Sequence, residues 1–331
     1  MRPFAYARAE SKSAAIRAVA AGGPGTRFLA GGTTLYDLMK LGAEAPEALV
    51  DINALPTLAH VDTAGPRELL FGAGARMSDV AADARLRAEY PALSESLWKA
   101  ASQQLRNMAS LGGNLLQRTR CAYFRNGEPF ACNKRVPGSG CAAREGVDRG
   151  HAVLGGSEAC IATYPGDWAV ALMAFEAVVD VAGPNGTRAI PLEMLHREPG
   201  TTPELETTLA RDEMILRIRV PATPLGRAST YHKIRDRESY AFALASAAVA
   251  LGMEGDTVRE ARIALGGLAT RPWRAREAEA ELIGRRLTPE VARAAGEAAL
   301  RGARPGHHNA FRIELGARTV ADALMIAQRR A

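Results

Sequence analysis

The sequence predicts an α+β protein built as two successive units, about 1–222 and about 226–331. Three observations lead there. A chain of 331 residues exceeds what one hydrophobic core usually organises. In the first unit, short apolar strands alternate with helical stretches across glycine turns. A polar, turn-rich run, ATPLGRAST at 222–230, then separates this region from a second set of elements.

Taken in order, residues 11–20 read as a helix with Ser11 or Ser13 as its cap. TRFLA (26–30) reads as a strand, GGTT (31–34) as a break, LYDLMKLG (35–42) as one or two helical turns and ALVDI (48–52) as a second strand. Strand, turn, helix and strand in this order form a small parallel unit. A further strand is expected at LLFGAG (69–74) and a helix over 77–90 with Ser78 as cap. Residues 93–105 read as a helix that MASLGGNLL (108–116) breaks with its two glycines. PGDWAVALMAFEAVVDVAG (165–183) gives a helix and then a strand, and ILRIRVP (215–221) alternates as a strand should. Beyond the linker, SYAFALASAAVAL (239–251) fits helix or strand equally, and REARIALGGLA (259–269) reads as a strand. Thr288-Pro289-Glu290 opens a helix through Leu300, and Phe311, Leu315, Ala323 and Leu324 are spaced for a final amphipathic helix.

Composition narrows the function. Apolar residues make up 47% and charged residues 24%, as in an ordinary globular protein, and the net charge of +6 is scattered rather than blocked. No basic run interleaves with aromatics, so nucleic acid is not expected as a partner. No apolar run is long enough to span a bilayer. The N-terminus, MRPFAYARAESKSAAIRAV, carries Arg2, Arg8 and Glu10 and lacks both an apolar export core and a twin arginine. The chain is therefore expected to stay in the cytoplasm unless a partner carries it out.

Two features carry chemistry. The first is a pair of glycine turns, Gly31-Gly32-Thr33-Thr34 and Ser110-Leu111-Gly112-Gly113-Asn114. Glycine lets backbone amides approach a ligand closely, and hydroxyl donors beside them favour an anion such as a pyrophosphate. Either turn alone reads as a tight connection, but two in one unit can hold a long dinucleotide from both sides. The second feature is the cysteine usage. All four cysteines lie between residues 121 and 160, spaced C-x10-C-x8-C-x18-C, within a Gly- and Arg-rich stretch running from 117. A loop this long inside a domain is usually functional. The spacing lacks the close pairs of structural zinc sites, and two disulfides or one iron–sulfur cluster are also open to it. Lys134, Arg135, Arg144 and Arg149, with the amides of Pro137-Gly138-Ser139-Gly140, would suit a zinc tetrathiolate as well as an anionic cluster. His151 reads as a hydrogen-bonding loop residue, and His196, His232, His307 and His308 as surface or linker residues.

RFLAGGTTLYDLMK and ASQQLRNMASLGGNL resemble the two flavin-binding signatures of the FAD-binding medium subunits in the xanthine dehydrogenase/aldehyde oxidoreductase, or molybdenum hydroxylase, family. YPGDWAVAL resembles the third flavin segment, and LGGLATRPWRAREAE (265–279) the C-terminal domain of the same subunits. The resemblance implies a two-subdomain FAD-binding fold of the PCMH or vanillyl-alcohol-oxidase-like type, spanning 1–222. A smaller α+β domain of the CO dehydrogenase flavoprotein type, 226–331, follows it. It assigns Phe28, Leu29, Ala30, Gly31, Gly32, Thr33, Thr34 and Leu35 to the loop around the FAD pyrophosphate. Ser110, Gly112, Gly113 and Asn114 fall in the second FAD loop, Asp167 at a contact to the adenosine half, and Ile215 and Lys233 at further flavin contacts.

The cysteine insert at 117–160 most resembles that of subunits from periplasmic bacterial aldehyde oxidoreductases. This likeness implies a 4Fe–4S cluster on Cys121, Cys132, Cys141 and Cys160. The function implied is electron transfer: a molybdenum-cofactor large subunit oxidises an aldehyde, a small subunit with 2Fe–2S clusters relays the electrons, and FAD on this chain passes them to an external acceptor. No residue of this chain is expected to act as a catalytic acid or base. Co-export to the periplasm with a partner bearing a Tat signal is implied as well. The alternatives are the flavin subunit of a 4-hydroxybenzoyl-CoA reductase-like or other molybdenum hydroxylase, a free-standing FAD oxidase, and a zinc-stapled interaction subunit.

Overall fold

The computed structural model describes residues 1–331 and is α+β, with three sheets. The first sheet is parallel, with β1 (Ala5–Arg8) and β2 (Thr26–Leu29) flanking a central β3 (Ala48–Asp51). The helix Lys12–Ala21 covers it through Ala15, Ile16 and Val19, and Ser11 caps this helix by accepting from the Ala14 amide at 3.1 Å.

The second sheet is antiparallel. Its strands are β4 (Val61–Asp62), β5 (Glu68–Gly72), β6 (Val178–Gly183), β7 (Gly186–Pro191) and β8 (Met214–Pro221), in the order β4-β5-β8-β6-β7. One face packs on the largest core, in which Trp168 meets Phe71 edge-on at 5.6 Å. The third sheet, also antiparallel, has the order β12-β11-β10-β9, with β9 at Ser229–Ile234, β10 at Ala245–Glu254, β11 at Thr257–Gly266 and β12 at Trp273–Arg274. The helix Phe311–Gln328 lies on one face of β10, and the helices Pro91–Trp98 and Trp168–Ala174 also pack on this sheet, so Ala245–Leu251 is buried throughout. A strand covered on both faces reads as a continuous apolar run, which is why 239–251 fits helix and strand alike in the sequence.

Two expected helices are divided. The stretch 77–90 breaks at Asp83, whose carboxylate caps the second half by accepting from the Leu86 amide at 2.7 Å; Ser78 caps nothing. The stretch 93–105 breaks between Trp98 and Gln103, where Ala101 takes a left-handed φ of 47°. The two glycines of 108–116 do not end a helix but sit inside a single turn, Leu111–Leu115, capped by Ser110. The insert 117–160 is docked rather than free. Val153 and Leu154 donate to the Leu268 carbonyl at 2.8 and 3.1 Å and join the core of the C-terminal sheet. No helix is long and apolar enough to cross a membrane.

Candidate functional site

The two glycine turns lie against each other. The first follows β2 and leads into the helix Leu35–Leu41; the second precedes and forms the turn Leu111–Leu115. Gly31 rests on the backbone of 108–110 so closely that a Cβ there would run into the Met108 carbonyl. Gly32 has φ of 74°, which L side chains rarely adopt. The first turn is held from behind by Asn53, which donates through Nδ2 to the Ala30 carbonyl at 2.8 Å and is itself fixed by Asp51. Arg76 bridges the turns, donating to Met108 O and, at 3.1 Å, to Asn53 Oδ1. The second turn is pinned by the Leu111 and Gly112 amides, which donate to Ala75 and Ala73 at 3.0 and 2.8 Å.

This packing leaves donors in hand. The backbone N–H groups of Gly31, Gly32, Thr33 and Thr34 have no acceptor within the chain, and neither does that of Ser110. One acceptor, the Oδ1 of Asn114, is also buried without a partner. Adjacent amides unspent on secondary structure, with two threonine hydroxyls beside them, suit a pyrophosphate. The residues present therefore fit FAD. Phe28 and Leu29 belong to β2, and Leu35 opens the following helix.

Asp167 and Lys233, far apart in the chain, meet in the interior. Lys233 Nζ donates to Asp167 at 2.8 Å, and their side chains are 1% and 6% exposed. Tyr231 donates to the other carboxylate oxygen at 2.6 Å, and Lys233 also donates to the Lys99 carbonyl at 3.0 Å. Burial, reinforced by the Asp167 charge, raises the Tyr231 pKa far above the ordinary phenol value. Both oxygens of Asp167 are thus engaged by β9, and the pair ties the first unit to the C-terminal sheet. Ile215 lies in β8 opposite Val181, 5% exposed, as a core residue beside the second turn. Sequence reasoning missed Asn53, Arg76 and Tyr231. Each acts through a partner 23 or more residues away, and no local pattern marks them.

His196, expected at the surface, is buried under the second turn. Its Nε2 lies 2.9 Å from the Leu115 carbonyl, which can only accept, so this nitrogen carries the proton. Tyr164 donates to the same carbonyl at 3.1 Å and packs edge-on against the imidazole. Burial pushes the His196 pKa down to about 4, leaving the ring neutral at pH 7.

The cysteine loop requires a correction. No group of three or more Cys, His, Asp or Glu side chains is arranged to hold a metal ion. The 4Fe–4S cluster expected on Cys121, Cys132, Cys141 and Cys160 is therefore withdrawn, together with the iron–sulfur and metal-binding role of this chain and the zinc alternative. The thiols are neighbours, close enough for Cys132 and Cys160 to oppose ionisation of Cys121, yet each is held separately. Cys132 and Cys141 face each other across a short antiparallel bridge, Cys121 Sγ lies 3.2 Å from His151 Nε2, and Cys160 Sγ accepts from the Ala162 amide at 3.4 Å. All four are free, and burial pushes Cys121 up to about 12 and Cys160 up to about 11.

The loop takes its order from other contacts. Phe124 and Cys132 pack on Leu38 in a small apolar cluster. The basic residues that would have balanced a cluster are spent elsewhere: Lys134 on Glu206 at 2.7 Å, Arg144 on Glu158 at 2.7 Å, Arg149 on Asp236 at 3.3 Å, and Arg135 on carbonyls of the loop.

Comparison with known proteins follows the same division of the chain. The family described as "FAD binding domain in molybdopterin dehydrogenase" matches residues 2–223, and "CO dehydrogenase flavoprotein C-terminal domain" matches 229–327. The aldehyde oxidoreductase FAD-binding subunit PaoB of Escherichia coli is 45% identical over 334 aligned positions, covering 100% of both chains. The glyceraldehyde dehydrogenase medium chain of Sulfolobus acidocaldarius is 26% identical, covering 87% of this chain and 84% of its own. Among solved structures, a carbon monoxide dehydrogenase from Hydrogenophaga pseudoflava that lacks the Mo-pyranopterin moiety of its cofactor superposes with a TM-score of 0.78 at 28% identity, covering 100% of this chain and 99% of that one.

Proposed function

The chain belongs to the family that carries the FAD-binding domain of molybdopterin dehydrogenases, an oxidoreductase flavoprotein subunit, and from that premise we propose that it is the electron-transfer subunit of a molybdenum hydroxylase complex. In this reading a large subunit holds the molybdenum cofactor and oxidises the substrate, and a small subunit carries 2Fe–2S clusters. This chain receives the electrons and releases them to an external acceptor. An aldehyde is the proposed substrate class, after the 45% identical relative. FAD, when bound, supplies the exchange between electrons arriving singly and an acceptor that takes a pair.

The chain's own residues bind and orient. The free amides of Gly31 to Thr34, with Ser110 of the facing turn, are the single observation that carries the reading. They would take the pyrophosphate, and Asn53 and Arg76 keep the turns in register behind it. The Asp167–Lys233 pair fixes the C-terminal sheet against this unit. We further propose that the assembled complex is exported to the periplasm through a signal on a partner.

Two measurements test the proposal. Replacing Gly32 by Val forces a branched side chain into a left-handed backbone, and flavin per chain should drop severalfold while the far-ultraviolet circular dichroism is kept. Full flavin in that variant would remove the turn from the site. Expressed without partners, the chain should remain in the cytoplasmic fraction; its appearance in the periplasm would end the co-export reading.

A further inference from the structure

Trp98 ends the helix Pro91–Trp98 with 58% of its surface exposed, whereas Trp168 is fully buried. It is not a loose surface ring. The Arg106 guanidinium sits over it, 5.1 Å from the ring centroid, and fixes its orientation. Beside it runs a groove of about 590 Å³ whose apolar floor includes Ala82, Ala88 and Pro91. Three arginines, Arg87, Arg227 and Arg330, line the same groove against one carboxylate, Glu95. Arg330 is spent on Glu95 at 2.7 Å. Arg87 has no partner in the chain, and Arg227 is 75% exposed and only 3.7 Å from Glu89. The groove thus offers an anchored indole, small apolar residues, the unpaired charge of Arg87 and the exposed charge of Arg227, held only by a long contact to Glu89.

This composition is that of a protein-binding patch. Tryptophan and arginine dominate the residues that carry binding energy, and small side chains around them leave room for a partner's anchor. The groove also adjoins the site. Lys99, the next residue after Trp98, gives its carbonyl to Lys233 of the Asp167 pair. We propose that this groove docks an acidic segment of a partner subunit, one large apolar side chain stacking on Trp98 between carboxylates that meet Arg87 and Arg227. The inference rests on the reading above that the chain works inside a complex. A single-stranded nucleic acid would also combine stacking with positive charge, but Arg87 and Arg227 are too few to follow a phosphate backbone, which favours a peptide.

The test uses the FAD-loaded chain and its co-expressed partner subunits. Trp98→Ala should weaken assembly roughly 30-fold or more, as expected when a central indole is lost. Arg87→Glu and Arg227→Glu should each weaken it about tenfold at low salt, mostly through slower association, and less at high salt. Flavin per chain and thermal midpoint should stay at parental values in all three, since the side chains are exposed. Acrylamide should quench the tryptophan fluorescence of the isolated chain more than that of the complex. Parental affinity in the Trp98 and arginine variants, or equal quenching in chain and complex, would overturn the docking site while leaving the subunit reading intact. Failure to assemble with any partner subunit would overturn both. Binding of a 12-residue oligonucleotide with an affinity that Trp98→Ala abolishes would replace the peptide by nucleic acid.

Discussion

At the scale of single residues, the Asp167–Lys233 pair shows how burial turns a surface-type interaction into a structural one. Exposed pairs contribute little, but removing one partner of a buried pair strands the other charge, at a cost of about 3–5 kcal/mol. Asp167→Asn and Lys233→Met should each lower unfolding free energy by that order, and the double variant should recover a substantial part of it. Urea denaturation of the three variants checks this; a double variant as unstable as the sum of the singles would show that the two side chains act independently. His196 gives a pH signature. Its pKa is about 4 when folded and ~6.5 when unfolded, so between these values the unfolded chain takes up a proton that the folded chain refuses. Stability should therefore fall by ~3 kcal/mol as pH drops from 6.5 to 4, and this part of the slope should vanish in His196→Gln. A parallel pH dependence in parent and variant would assign the loss to other groups. Of these residues, Asp167 and Lys233 were singled out by resemblance as flavin contacts, but nothing in the sequence pointed to their pairing with each other. Tyr231, Asn53 and Arg76 carried no signal, because a hydrogen bond across the fold leaves no local pattern. His196 was misjudged as a surface residue because nothing in its neighbours announces the Tyr164 ring and Leu115 carbonyl that enclose it.

At the scale of elements, the two glycine turns were legible only as a pair: Gly31-Gly32 follows a strand, Gly112-Gly113 lies within a helical turn, and either alone reads as a tight connection. What the sequence did not reveal is that the turns touch. Gly31 is required by the facing backbone as much as by any ligand, since a methyl group there meets the Met108 carbonyl. Gly31→Ala should therefore push the turns apart and reduce flavin content even though alanine is small and uncharged. Gly42→Ala makes a useful comparison: its φ of 72° strains the same substitution, yet nothing lies in the way and the position closes the helix Leu35–Leu41 on its far end. If flavin per chain falls equally in both variants, helix-end strain rather than turn contact explains the loss. Helix breaks were the less legible feature. Asp83 competes for the Leu86 amide, and the turn at Ala101 is fixed from outside, where Lys233 and Arg235 both donate to the Lys99 carbonyl. Periodicity reports which face is buried, not where a distant side chain captures the backbone.

At the scale of the whole molecule, the insert 117–160 spans both units: its first part packs on Leu38 and pairs with Asp37 and Glu206, and its last part joins the C-terminal unit. Asp148 accepts from the His307 and His308 amides at 2.8 and 2.7 Å, and Asn309 donates to the His151 carbonyl at 3.2 Å. Arg312 is the centre of this junction. It is 1% exposed and donates to the carbonyls of Arg149 at 3.1 Å, Leu244 at 2.7 Å and Gly267, joining the insert to the residues just before β10 and just after β11. Burial, with the nearby Arg149 charge adding to it, brings its pKa down to about 10, which still leaves it charged at neutral pH. Arg312→Met keeps the volume but leaves three carbonyls without their donor, each costing about 1–3 kcal/mol when it stays buried. The effect should not be uniform. Residues 149–154 lose the Arg312 bond at Arg149 and are left with isolated backbone bonds to Leu268, Thr270 and Arg304 and the Asp148 and Asn309 contacts, whereas β10 and β11 keep a continuous ladder. Hydrogen exchange should therefore accelerate first in 149–154, ahead of Ala245–Leu251, and protease should cut the insert before the sheet opens. Exchange that rises together in both segments would mean that the insert and the C-terminal sheet unfold as one cooperative body, with Arg312 stabilising the whole rather than fastening the insert.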